Sequence, residues 1–338
     1  MTIPHPSRRA FVRGLRQTAF MAALVAAARP LSAATPVPEA ASLLVPGPED
    51  GATARFATKA AGAFARGLVQ AVALRVQVVG GADGITAANR FASLTPADGR
   101  ALLLLPGVAA QAQLLGDSRA RFEPRRWPAL ASSLQPVVLA GRGAMGNATP
   151  IRVALPGPGT PEAAGLLLLE LIGRRCQAVF TAQPELALTQ GAADAMVLSG
   201  LAAQRAAAQG LTPWFAFDGA DSARDPAMPE VPTMGEMLGE VRGEPARQDL
   251  AMAARAVGAA LRTRALIVLP TLTSADAVAL WRGAAQRWAE EEPDSLEAGA
   301  RRIAGSAAAD LLATLCPTSE VTLAYRDWLL RRFNWRAG

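Results

Sequence analysis

Short apolar runs alternate along the chain with glycine- and proline-rich turns and with segments whose apolar residues recur at helical spacing. The first run, residues 41–45, is followed by a turn and by an amphipathic segment at 53–68. The unit recurs at 74–93, and residues 101–105 form another buried run. Buried strands that alternate with amphipathic helices are typical of α/β proteins, so the pattern predicts a mainly parallel sheet flanked by helices.

The same unit begins again at residues 151–155, and this second start predicts a second lobe. A turn at 156–160 follows, where Thr160 is a good helix N-cap and Pro161 a good first helical residue. A chain of 338 residues is long enough for two cores. We therefore predict one lobe from residues 35–140 and 266–338, the second from 141–265, and a final helix that packs on the first lobe.

The first residues have the composition of an export signal. Arg8 and Arg9 precede a mildly apolar stretch at residues 18–28, and small residues follow up to Ala34. We expect residues 1–34 to be a twin-arginine signal peptide and the mature protein to be periplasmic. The net charge of +6 falls to about +1 without the five arginines of this segment, so no basic surface for nucleic acid is expected.

The residue types that are absent restrict the chemistry. The single histidine, His5, lies within the predicted signal peptide, which removes the usual general base of hydrolases and the commonest metal ligand. Cys176 and Cys316 are too far apart in sequence for a close metal-ligand pair. A disulfide between them is allowed in an oxidising compartment, but it would tie the two lobes together, and we expect buried free thiols. We expect no metal and no cofactor, and we expect the protein not to be an enzyme.

Two turns remain as candidate sites, at residues 46–53 and 156–160. A turn that leads from the carboxyl end of a strand into a helix leaves backbone N–H groups unpaired, and the helix dipole adds partial positive charge there. Such turns bind carboxylates or phosphates, although every strand-to-helix connection requires a turn and most of them bind nothing. Neither turn has the phosphate-loop or dinucleotide-binding pattern.

Several motifs taken together resemble the tripartite tricarboxylate transporter receptor family, also called Bug proteins. They are LLVPGPEDGATARF, GGADGITAANRF and PADGRALLLLPG, followed by ALPGPGTPEAAGLL, QGAADAMVL and MPEVPTMGEM. The resemblance spans about residues 41–290. It implies a Venus-flytrap fold whose two lobes close on a small carboxylate, a membrane permease or sensor as partner, and a monomer.

The resemblance also implies the ligand-binding residues. They fall on the first turn, the second turn and the end of a later strand: Gly47, Pro48, Gly51, Ala52, Thr53, Gly157, Gly159, Thr160, Thr181 and Ala182. This chain departs from the family where Ala54 replaces an aspartate and where Glu49 and Asp50 replace a neutral pair. Two alternatives stay open: a secreted enzyme that uses Glu49, Asp50 or Asp83, and a degenerate binding fold kept as an interaction or sensory partner.

Overall fold

The computed structural model describes residues 39–68, 72–146, 149–218, 223–239, 245–291 and 300–337. The predicted signal peptide, residues 1–34, lies outside these ranges. The strands are, in chain order, β1 Ala40–Val45, β2 Ala73–Val78, β3 Ala101–Leu105, β4 Ala129–Leu134, β5 Val137–Gly141, β6 Ile151–Leu155, β7 Cys176–Phe180, β8 Ala195–Ser199, β9 Thr212–Ala216, β10 Thr263–Val268 and β11 Arg301–Ala304. The helices are α1 Ala52–Arg66, α2 Ile85–Leu94, α3 Gly107–Leu115, α4 Ala163–Leu171, α5 Pro184–Thr189, α6 Leu201–Gln204, α7 Met234–Leu238, α8 Pro245–Arg262, α9 Ala275–Glu291, α10 Ser306–Leu315 and α11 Ser319–Phe333.

The first sheet has the strand order β2-β1-β3-β10-β4-β11. Strands β1 to β4 run in one direction, and β10 and β11 run in the other. β3 is the leucine-rich strand at its centre, and Leu102, Leu103, Leu104 and Leu105 are each at most 1% exposed. Side chains that are buried on both faces need a helix layer on each side, as in parallel α/β sheets.

The second sheet has the order β7-β6-β8-β5-β9. Here β6 pairs in parallel with both β7 and β8, whereas β5 is antiparallel to β8 and β9. Helix α4 covers one face of this sheet with a run of buried leucines between Leu166 and Leu171. The predicted α/β fold with two lobes, each built on a mainly parallel sheet, is confirmed.

The chain crosses between the two sheets at Gln135–Pro136 and returns where α8 ends and β10 begins. The two crossings are hydrogen-bonded to each other, because the Gln135 backbone N–H donates to the Arg262 carbonyl at 2.8 Å and its side chain donates to the Leu261 carbonyl at 2.9 Å. Since β5 pairs within the second sheet, the first crossing lies a few residues before the boundary at 140 that the sequence indicated.

The final helix, α11, differs from its sequence-based prediction. Its buried residues Tyr325, Trp328 and Leu329 belong to the apolar core of the second sheet, together with Leu167 of α4 and Leu114 at the end of α3. The helix therefore lies between the lobes and joins α3 of the first lobe to the core of the second, instead of packing on the first lobe alone.

In the described part of the chain, no helix is both long and apolar enough to cross a membrane.

Candidate functional site

The carboxyl ends of the parallel strands in both sheets lie towards the crossing between the lobes. In the first sheet, Leu134 at the end of β4 pairs with Thr263 of the returning chain. In the second sheet, Val137 at the start of β5 pairs with Ser199, the last residue of β8. Because parallel strands end at the same edge of a sheet, the turns that follow β1 and β6 lie at the edges that border the crossing.

The two sheets share one strand order, which makes these two turns equivalent. In the first sheet β1 lies between β2 and β3, and the antiparallel β10 is next to β3; in the second sheet β6 lies between β7 and β8, and the antiparallel β5 is next to β8. β1 and β6 are the first parallel strands of their lobes. The first glycine turn (residues 46–53) and the second glycine turn (residues 156–160) therefore occupy corresponding places, one in each lobe.

The first glycine turn is closed by its own backbone. Gly47 is buried with φ of 99°, and the Gly51 N–H donates to the Pro48 carbonyl at 3.0 Å. Helix α1 starts directly after Gly51, and among the described residues no side chain caps it. The N–H groups of Ala52 and Thr53 thus have no partner within the helix, which is the arrangement that accepts an anion.

Three carboxylates of the first lobe, Glu49, Asp50 and Asp83, are the candidates for catalysis that the sequence offered. Glu49 and Asp50 are exposed, and the Arg55 guanidinium donates to the Asp50 main-chain carbonyl. Asp83 accepts from the Ile85 N–H at 3.2 Å and from the Arg119 guanidinium at 3.0 Å. The two Asp83 oxygens are therefore already hydrogen-bonded, which disfavours this residue as a general base.

The second glycine turn is built differently from the sequence-based prediction. The Thr160 hydroxyl donates to the Gly157 carbonyl at 2.9 Å, so it holds the turn instead of capping the helix. The backbone then makes tight turns through Pro161 and Glu162, and α4 begins at Ala163. Thr160 is therefore not the N-cap, and Pro161 is not the first helical residue.

Thr181 and Ala182 follow β7, the strand beside β6. The Thr181 N–H donates to the Leu155 carbonyl at 3.1 Å, which places it at the base of the second glycine turn. Its hydroxyl accepts from the Gln183 N–H at 3.1 Å and so caps the turn into α5, and Ala182 is exposed. The predicted residues of the second lobe thus lie along one edge of its sheet.

The last residue of α11 and the segment that follows the helix cover this edge. The half-buried Trp335 packs on Gly159 so closely that a methyl group on Gly159 would lie 2.7 Å from the indole Cη2. Phe333 lies against Phe180, the last residue of β7, with the ring centroids 5.5 Å apart. The helical spacing of Tyr325, Trp328 and Trp335 is typical of packing residues, and it gives no sign that one of them contacts the second glycine turn.

Three buried polar atoms lie near the second glycine turn without a hydrogen-bond partner in the described part of the chain. They are the Gln111 Nε2 of α3, the Glu162 Oε2 and the Tyr325 hydroxyl of α11. Burial raises the pKa of the Tyr325 hydroxyl, whereas the nearby Gln111 side chain lowers it and the neighbouring Glu162 carboxylate raises it. Unpartnered polar groups in a closed interior are unusual, and these three lie where α3 and α11 meet the approach to α4.

No cluster of three or more His, Cys, Asp or Glu side chains that would hold a metal ion occurs among the described residues. Both cysteines are free and only partly exposed. Burial raises the pKa of the Cys176 thiol to about 11 and that of Cys316 to about 12, so neither is an activated thiolate near neutral pH.

No protein-family model matches the chain, and no curated protein is significantly similar to it in sequence. Solved structures are similar to it in fold. A TctC solute binding protein from Polaromonas, solved without ligand, aligns with a TM-score of 0.64 and 15% identity over 87% of this chain and 98% of its own. MatC from Rhodopseudomonas palustris with bound malate aligns with a TM-score of 0.50 and 20% identity over 87% of this chain and 99% of its own. R. palustris Rpa4515 with adipate aligns with a TM-score of 0.51 and 16% identity over 86% of this chain and 96% of its own. The chain has the fold of these proteins.

Proposed function

We propose that the protein is a periplasmic solute-binding protein of the tripartite tricarboxylate transporter receptor type, which captures a small carboxylate between its lobes. The observation that supports this most directly is the pair of equivalent glycine turns at the facing edges of the two sheets. Each turn precedes a helix that no side chain caps in the described part of the chain. Malate and adipate, which are bound in two structures of the same fold, are carboxylates of the class that such turns bind.

Recognition in this proposal depends on main-chain donors and not on a basic side chain. In the first lobe the N–H groups of Ala52 and Thr53 face an anion at the start of α1, where the helix dipole adds to the attraction. In the second lobe the turn at Gly157 and Gly159 supplies the opposite surface. Closure about the crossing at Gln135–Pro136 would bury the ligand between them, and a membrane permease or sensor would then recognise the closed monomer.

Titration of the purified protein with malate and adipate tests the proposal. A ligand that binds only the folded state stabilises it by about 2.7 kcal/mol at a concentration one hundred times Kd, so the melting temperature should rise with ligand concentration. The uncharged dimethyl esters are the matched controls, and they should have no effect. A folded protein whose melting temperature no carboxylate changes, and which gives no heat of binding, would refute the proposal.

Export is a separate part of the proposal and has its own test. If residues 1–34 are a twin-arginine signal peptide, the periplasmic protein should begin after Ala33 or Ala34, and replacing Arg8 and Arg9 by lysine should retain the full-length precursor in the cytoplasm. N-terminal sequencing of the periplasmic fraction measures this. A periplasmic product that still carries residues 1–34 would contradict the signal-peptide assignment.

A binding fold kept as an interaction or sensory partner is the second candidate. The observation that favours it is the cover over the second lobe, because Trp335 packs on Gly159 and Phe333 packs on Phe180. If that cover excludes ligand, the titration above gives no stabilisation with wild-type protein. Stabilisation of the wild-type protein by malate or adipate therefore favours the solute-binding function, and the absence of stabilisation favours the interaction partner.

A further inference from the structure

Helix α11 is attached firmly to the elements that flank the second glycine turn. The Glu170 carboxylate of α4 accepts from the Trp328 indole N–H at 2.8 Å and from the Arg332 guanidinium at 2.6 Å. The same guanidinium donates to the Cys176 carbonyl at the start of β7, at 2.7 Å. Charge-assisted bonds of this kind are strong and directional, so the end of α11 has a fixed position relative to the second lobe.

The chain then leaves the helix axis in a defined way. Asn334 has φ of 51°, a left-handed conformation that asparagine adopts more readily than most residues, and its N–H donates to the Leu330 carbonyl at 2.8 Å. This C-cap ends the helix at Phe333 and turns Trp335 towards the second glycine turn. The position of the indole therefore follows from the helix termination and does not depend on a flexible tail.

The contact at Gly159 leaves no room for a side chain. A methyl group there would overlap the indole at Cζ2 and Cη2 and would lie 3.1 Å from Cε2. Trp335 also lines an open pocket of about 350 Å³, whose lining includes Leu115 and Gly116 at the end of α3. Trp335 therefore contacts the second glycine turn and borders the same pocket as the end of a first-lobe helix.

We propose that Trp335 is a positioning residue for the second glycine turn, and that it links the conformation of this turn to the first lobe. The inference rests on the proposed function, because it assigns Trp335 a role in ligand affinity. The indole acts through Gly159, because it fixes the backbone of the second glycine turn, whose N–H groups face the ligand. Since Trp335 directly follows α11, this contact connects the turn to the end of that helix. Loss of the ring would leave the turn free to sample other conformations, and each such conformation lowers the affinity.

Three substitutions test the role by calorimetric titration with malate. Trp335→Ala should raise Kd about tenfold, within the range of coupling energies known for residues in contact, while the melting temperature changes little because the ring is only half-buried. Trp335→Phe should retain most of the affinity, since a smaller ring still packs on Gly159. Leu94→Ala, at an exposed apolar position 74% accessible on α2, is the matched control and should change neither quantity.

A double-mutant cycle with Gly159→Ala separates the contact from a direct effect on ligand. In the wild-type background the new methyl group displaces the indole and should weaken binding, whereas in the Trp335→Ala background it should cost little more. Additive effects would overturn the inference, and so would a Trp335→Ala variant that loses stability but keeps its Kd. If neither the wild type nor any variant binds a carboxylate, the proposed function fails, and the role of Trp335 fails with it. If the wild type binds malate and Trp335→Ala binds it with the same Kd, only the positioning role is refuted.

Discussion

A methyl group at Gly47 would test the first glycine turn through backbone conformation alone. Gly47 has φ of 99°, and the nearest atom to a Cβ built there is the Ala82 Cα at 3.8 Å, which is an ordinary contact. Gly47→Ala therefore meets no clash, and its effect comes from placing an L-residue in the left-handed region, which costs about 1–2 kcal/mol. The shift is about 2–4 °C for each kcal/mol at 150–250 residues and smaller for a longer chain, so the melting temperature should fall by a few degrees at most.

The same variant should bind carboxylate less tightly. The strain is relieved when the backbone of residues 46–51 rotates, and this rotation moves the free N–H groups at the start of α1 away from the ligand. We expect Kd to rise about tenfold, which corresponds to roughly 1.4 kcal/mol of binding free energy. Calorimetric titration with malate measures Kd, and differential scanning calorimetry measures stability on the same samples.

Gly210→Ala is the control, because it introduces the same backbone strain outside the proposed binding site. Gly210 has φ of 75°, no atom lies within 4 Å of a Cβ built there, and it ends a short turn outside both glycine turns. It should lose a similar amount of stability and keep its affinity. If Gly47→Ala also kept its affinity while losing the same stability, the first glycine turn would not belong to the binding site.

Three further predictions concern buried groups. Tyr325→Phe should leave the free energy of unfolding unchanged or raise it, because the hydroxyl is buried without a partner among the described residues; a loss above about 1 kcal/mol in denaturant unfolding would contradict this. Cys176 and Cys316 should react slowly with iodoacetamide in the folded protein at neutral pH, since burial raises both thiol pKa values, whereas rapid alkylation followed by mass spectrometry would refute it. Burial also raises the pKa of Asp218, so the folded state favours the protonated carboxyl group. The stability that this proton contributes is present at low pH and is lost as the pH rises through the folded-state pKa. Asp218→Asn should therefore gain stability relative to wild type as the pH is raised from the acid range towards neutrality, and a melting-temperature difference that does not grow with pH would contradict this.

The regular core of the fold was predictable because its signal is local. The leucines of β3 and α4 form continuous apolar runs between turn residues, and runs of that kind fit only an element that is buried on both sides. The glycine turns were predictable for the same reason. Gly47 provides the left-handed conformation that the turn after β1 needs, and this requirement appears in the sequence as a glycine directly after a buried run.

The strands near the crossing were not predictable from local pattern, because they carry polar residues whose partners are distant in sequence. β4 buries Ser132 and Ser133, and the Ser132 hydroxyl donates to the Ala265 carbonyl of β10 at 2.9 Å. β11 begins with Arg301 and Arg302, and the latter donates to the Trp288 carbonyl at 2.7 Å. Serines and arginines of this kind resemble a loop until the tertiary partner is known.

The cover over the second lobe shows most clearly where a linear pattern fails. Trp335 continues the helical spacing of Tyr325 and Trp328, so the sequence indicates a third aromatic residue on the same buried face. The helix stops at Phe333, however, because Asn334 adopts a left-handed conformation, and the next side chain leaves that face. An apolar residue just after a helix C-cap commonly packs back on its own helix, but here the indole contacts Gly159. A glycine that seemed to be required only by its turn is thus also required by a residue far along the chain, and substitutions at Gly159 and Trp335 should be interpreted together.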